Sequence, residues 1–161
     1  MHNIKILIAE DEKPKRDHVS NFLDSNFYVK TLYSASVNST IISIEDDVPN
    51  FIILDMSLPT NDLNERDSGG RPQGFGGRAV LRHMKLARIE IPVVILTGYE
   101  VFKSDVAHKA TPEHVDLEQL RVELNRDFNK FFIDIIHFNS TNKNWQKSLF
   151  SCLKNNLPRI K

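Results

Sequence analysis

The sequence predicts an α/β fold, a doubly wound five-stranded parallel sheet, and three observations carry that expectation. Residues 4–9 (IKILIA), 51–55 (FIILD) and 91–96 (IPVVIL) are short, almost wholly apolar, β-branched runs. Strands buried on both faces of a parallel sheet read that way. Between them lie segments whose apolar residues recur at helical spacing, and that alternation of periods marks βαβ units. Residues 27–33 (FYVKTLY) and 131–138 (FFIDIIHF) supply two further strands.

The helices follow in order. Pro14 suits the first turn of a helix running to residue 25 or so, with Val19, Phe22 and Leu23 on its inner face. Ser36 can cap a second helix that buries Val37, Ile41 and Ile44. A third opens after Gly77 and turns Val80, Leu81 and Met84 inward. Leu117, Leu120 and Leu124 mark a fourth stripe, and Trp145, Leu149 and Leu153 a fifth. Two connections are long. One spans 56–77 and is rich in Gly, Asp and Asn; the other spans 98–130, where Pro112 splits two helical pieces. Loops of that length in a compact domain are usually functional or disordered. The expected organisation is one domain over 1–161, enlarged at about 56–77 and 98–130.

Composition narrows the function classes. The chain has 161 residues, 40% of them hydrophobic and 26% charged, which is ordinary for a globular domain able to bury a core without staples. A single cysteine, Cys152, excludes an internal disulfide and reads as a small buried hydrophobe. The opening MHNIKILIAEDE is broken by acids too early for a signal peptide, and no apolar stretch has transmembrane length, so a cytoplasmic protein is expected. Net charge is zero, which favours neither nucleic acid nor membrane as a partner. The basic stretch RAVLRHMKLAR (78–88) reads as the solvated face of an amphipathic helix. GGRPQGFGG lacks the GK[ST] ending of a phosphate-binding loop, and no histidine pair has metal-ligand spacing.

The chemistry lies at the strand ends. In an open parallel sheet, ligands bind beyond the carboxyl ends of the strands, at the topological switch point. Strand one delivers Glu10 and Asp11 there, strand three delivers Asp55 and strand four delivers Thr97. Clustered carboxylates repel one another and raise at least one pKa unless a cation sits among them. Their hard oxygens suit Mg²⁺. Asp55 could then act as a nucleophile and form an aspartyl phosphate, with Thr97 donating to a phosphoryl oxygen.

The stretches IKILIAEDE, FIILDMSLP and PVVILTGYE, in that order, resemble the receiver domains of bacterial two-component response regulators. The resemblance covers nearly the whole chain and implies a flavodoxin-like (βα)5 receiver fold of the stand-alone, chemotaxis type. It further implies that Glu10 and Asp11 form the acidic Mg²⁺ pair, that Asp55 is the phosphoacceptor, and that Ser57 gives a backbone carbonyl to the metal. Pro59 falls where the family has its proline, and Thr97 matches the switch hydroxyl. The implied partners are a histidine kinase or phosphotransfer protein and an output protein reached by contact. Catalysis would be limited to self-phosphorylation and autodephosphorylation.

Two departures from the family pattern stand out. Where family members carry a Lys-Pro pair at the end of strand five, this chain has His137 and Phe138, and Asp134 stands where an aromatic switch residue is expected. His137 is a possible substitute for the lysine, since a protonated imidazole can meet a phosphoryl oxygen; Lys130 or Lys143 could reach it by another loop path. The connection before Gly77 is also longer than the family's by about a dozen residues. These departures motivate an alternative, a pseudo-receiver that binds partners independently of phosphorylation. A more distant alternative is an aspartate-nucleophile phosphohydrolase, which would place a second acid two residues beyond the nucleophile, where this chain has Ser57.

Overall fold

The computed structural model describes residues 3–62, 76–98 and 117–158. Its elements run β1 (Lys5–Ala9), α1 (Lys13–Asn26), β2 (Lys30–Ser34), α2 (Val37–Asp46), β3 (Phe51–Leu54), α3 (Gly76–Ala87), β4 (Val93–Thr97), α4 (Leu117–Phe128), β5 (Phe132–His137) and α5 (Asn144–Asn156). The strands form one parallel sheet in the order β2-β1-β3-β4-β5. The chain order reverses between β1 and β3, which makes their carboxyl ends the switch point.

Period-two alternation divides the core between the two faces of the sheet. Leu7, Ile52, Leu54, Val93 and Ile95 face α2, α3 and α4, where they meet Ile44, Leu81, Met84, Leu120 and Leu124. Ile6, Ile8, Ile53, Val94 and Leu96 face α1 and α5, where they meet Val19, Leu23, Trp145 and Leu149. The helical stripes read from the sequence are the ones that pack: Val80, Leu81 and Met84 are fully buried, as are Leu149 and Leu153. Cys152 sits at the edge of the second cluster and is half-buried, short of the full burial expected for it.

Local signals set several boundaries. Ser36 caps α2 through a reciprocal capping box in which its Oγ accepts from Ser39 N–H at 3.0 Å. Pro14 lies in the first turn of α1. The second strand starts three residues later than residue 27. Phe27 closes α1 instead, its N–H bonding the Leu23 carbonyl at 2.8 Å while its ring packs against Phe22 and Phe150. Its apolar character serves the helix exit and not the strand.

The third helix opens one residue before Gly77, and its first two residues are forced to be glycine. A Cβ on Gly76 would lie 1.9 Å from the Leu58 carbonyl oxygen, and one on Gly77 would lie 2.8 Å from that of Asp55. The helix start is therefore pressed directly against the turn that leaves β3. Residues 63–75 of the long connection, with most of GGRPQGFGG, lie outside the described residues, as does Pro112 and the helical split expected there. Among the described residues no helix is long and apolar enough to cross a membrane.

Candidate functional site

Backbone hydrogen bonds extend the sheet one residue past its strands and so fix the acidic side chains. Glu10 N–H donates to the Ser34 carbonyl at 2.9 Å and Asp55 N–H donates to the Ala9 carbonyl at 2.9 Å. Asp11 follows directly. One ligand oxygen from each of Glu10, Asp11 and Asp55 lies within 4.8 Å of the others. Glu10 and Asp55 are 3% and 4% exposed, so this is an interior cluster and not a solvated acidic turn.

A fourth charged group completes the pocket, and reasoning from the sequence did not assign it. Lys15 is 7% exposed and its ammonium donates to Glu10 Oε2 at 3.0 Å, to Asp55 Oδ1 at 3.2 Å and to the Leu96 carbonyl at 2.7 Å. All three N–H donors are used. The ammonium also lies 5.7 Å from the centre of the Phe138 ring, which packs in turn at a tilt against Trp145. A signal for it existed. Position 15 falls four residues before Val19 and seven before Phe22, on the buried stripe of α1, where a charge needs a partner.

The protonation balance follows from one ammonium serving several acids. Burial, reinforced by the neighbouring charges of Asp55 and Asp11, outweighs the pull of Lys15 and lifts the Glu10 carboxyl to about 8. Burial also raises Asp11, with Asp55 adding to the effect. For Lys15, burial pulls downward, but the charges of Asp55 and Glu10 and their hydrogen bonds overcome it and leave the ammonium above its usual range. The buried lysine thus stays charged, and Glu10 is the acid that takes up a proton. Further positive charge would relieve the strain among the carboxylates.

The other expected site residues are placed as follows. Ser57, in the turn after β3, donates its hydroxyl to Asp55 Oδ2 at 2.9 Å. Thr97, at the end of β4, is fully buried and its Oγ1 has no hydrogen-bond partner among the described residues. An orphaned hydroxyl at 0% exposure is costly unless something polar meets it. His137 is not brought into the pocket. Ile136 belongs to the cluster under α1 and α5 and Ile135 to the opposite one, so alternation turns His137 to the α4 side. There it is exposed and lines a cavity with Arg121 and Asp134. Lys130 and Lys143 are both exposed, the first in the turn before β5 and the second just before α5.

Asp134 is held in an ion pair. Arg121 Nε on α4 donates to Asp134 Oδ1 at 2.6 Å, and Arg121 Nη2 donates to the Ile135 carbonyl at 3.0 Å. A register irregularity between Val93 and Val94, opposite β5, resets the alternation there and lets Phe132 and Ile135 both face α4. Asp134, at the position where the family resemblance implies an aromatic residue, is instead tied to α4 by charge.

The donor set fits a hard divalent cation. Asp11 and one oxygen each of Glu10 and Asp55 stand outside the lysine's hydrogen bonds, and carboxylate oxygens with nearby carbonyls are what Mg²⁺ takes. No family model matches the chain. Among curated proteins it is 30% identical over 102 residues to the Detocs response regulatory protein DtcB of Enterobacter cloacae, covering 62% of this chain and 68% of that one. It is 28% identical over 152 residues to the protein y4jR of Sinorhizobium fredii, covering 91% and 94%. Similar solved structures include a signal receiver domain from Vibrio parahaemolyticus (TM-score 0.62, 19% identity, 96% and 93% covered). The NtrX receiver domain of Brucella abortus is another (TM-score 0.56, 22% identity, 92% and 98% covered). The structural likenesses share the five-stranded parallel sheet with its five helices, and the sequence likeness extends to a response regulator by name. By fold, by the order of its strand-end acids and by that relationship, the chain belongs to the response-regulator receiver family.

Proposed function

We propose that the chain is a two-component signalling receiver that takes a phosphoryl group on Asp55 in the presence of Mg²⁺ and passes the change on by protein contact. The observation that supports this best is the convergence of Glu10, Asp11 and Asp55, one oxygen from each within 4.8 Å, at the strand-end edge that also carries Thr97, whose buried hydroxyl has no partner among the described residues. Glu10 and Asp11 would hold the metal with Asp55 and the Ser57 carbonyl. Bound there, the cation would neutralise phosphoryl oxygens and the charge that develops during transfer.

The chain's own residues account for the rest. A carboxylate oxygen of Asp55 attacks phosphorus, and the O–P bond forms as the P–N bond of a phosphohistidine breaks. The leaving imidazole keeps the electron pair and takes a proton. With a small acyl phosphate the broken bond is P–O and a carboxylate leaves. Ser57, donating to Asp55 Oδ2, holds the acceptor's rotamer. The Thr97 hydroxyl, without a partner among the described residues, donates to a phosphoryl oxygen. Histidine kinases or phosphotransfer proteins are the fitting donors.

Intact-mass measurement after incubation with Mg²⁺ and acetyl phosphate tests the reading. Wild type should gain one phosphoryl adduct and Asp55→Asn none. Folded wild type that takes no adduct under saturating donor would leave the phosphorylation-independent module as the better reading.

A further inference from the structure

We propose that Lys15, on helix α1, supplies the cation that pairs the phosphoryl group on Asp55. The inference rests on the phosphoacceptor reading above and goes beyond it, because it moves the cation from the end of β5 to the first turn of α1.

Three features of the structure carry it. The Lys15 ammonium already touches the acceptor, donating to Asp55 Oδ1 at 3.2 Å from an interior position. It is anchored independently of the acceptor by the Leu96 carbonyl at 2.7 Å and by the Phe138 ring. Conversion of Asp55 to an acyl phosphate removes a carboxylate charge beside Lys15 and installs a more negative group bonded to the same side chain. An ammonium held by a carbonyl can exchange a carboxylate oxygen for a phosphoryl oxygen with little movement, and charge-assisted hydrogen bonds of this kind are the strong ones.

The second feature is the occupant of the β5 end. Phe138 N–H donates to the Thr97 carbonyl at 2.8 Å, which fixes the residue after His137 beside β4. Its ring lies over the Lys15 ammonium and against Trp145 and His18. The strand end therefore confines the lysine that arrives from α1 and turns its own histidine, His137, to the α4 side of the sheet. The third feature is economy of charge. A buried ammonium is costly unless its geometry is fully satisfied, and among the described residues Lys15 meets that condition through the acceptor, its acidic neighbour and the Leu96 carbonyl.

Beryllofluoride with Mg²⁺, a phosphoryl mimic, is the probe, and the fluorescence of Trp145, the chain's one tryptophan, is the readout. Lys15→Met and Lys15→Gln should bind Mg²⁺ at least as tightly as wild type, because a competing cation is gone. Both should bind beryllofluoride about tenfold or more weakly, and Lys15→Arg should restore much of the loss. A folded Lys15→Gln that binds both probes with wild-type affinity overturns the proposal. So does equal loss of both, which marks a purely structural lysine. Should neither neutral variant fold, NMR of the Lys15 ammonium in wild type decides. Its resonance should shift when beryllofluoride joins Mg²⁺-saturated protein, and an unmoved resonance overturns the proposal. If wild type binds no beryllofluoride and takes no phosphoryl adduct, the phosphoacceptor reading itself has failed.

Discussion

The carboxyl edge of the sheet has two halves that follow different rules. At β1 and β3, the strand-end acids converge on one small volume. Glu10, Asp11, Asp55, Ser57 and Lys15 share it, and the glycines that open α3 press the turn into place. At β4 and β5 the polar groups disperse. Thr97 is buried with a hydroxyl that has no partner among the described residues, Asp134 is tied to Arg121 and His137 is exposed on the α4 side. One half is built for a fixed constellation and the other is not. Under the proposed function, acceptor chemistry rests on β1, α1 and β3 with the Thr97 hydroxyl of β4, and signal relay through the β5 end can separate from it.

Packing gives the largest expected difference. Gly76→Ala puts a carbon 1.9 Å from a backbone oxygen of the turn after β3, which no side-chain rotation can relieve. It should cost about 3 kcal/mol in urea unfolding and weaken phosphoryl uptake with it. A Gly76→Ala protein of unchanged stability would mean that the turn is not held as described.

Titration comes next. The Glu10 carboxyl, ordinarily 4.5, lies at about 8 in the folded chain. Between those values the folded state keeps a proton that the unfolded state releases, so this group's contribution falls as pH rises. In EDTA, wild type should lose stability from pH 5 to 8 relative to Glu10→Gln, by at most about 1.4 kcal/mol per unit. Parallel stability curves for the two proteins would contradict the assignment.

The altered half should respond least. Arg121→Ala removes the pair with Asp134, whose side chains are 32% and 40% exposed, together with the bond to the Ile135 carbonyl and the pair with Glu118, and pairs of that exposure contribute less than about 1 kcal/mol each. Its thermal midpoint should move slightly and its phosphoryl uptake not at all. A large loss of uptake would join the two halves again.

Much of this was legible in the sequence, for particular reasons. IKILIA, FIILD and PVVIL read as buried parallel strands because both their faces meet helices. The strand-end acids were legible because a parallel sheet collects its strand ends on one edge. Lys15 was missed since a lysine in a first helical turn ordinarily reaches solvent; only its place on the Val19 and Phe22 stripe marked it. The Arg121–Asp134 pair depends on how α4 lies over β5, and the register irregularity opposite β5 changes which residues face it. Neither has a local signature. The start of β2 was misplaced because Phe27 is apolar for the sake of α1.

The most direct test of an acceptor pocket complete without the β5 end is phosphoryl uptake by His137→Ala, read by intact mass with Mg²⁺ and acetyl phosphate. The account predicts an adduct on Asp55 at a rate within about twofold of wild type. Loss of the adduct, with the protein folded and Mg²⁺ still bound, would place the needed cation at His137 and contradict it.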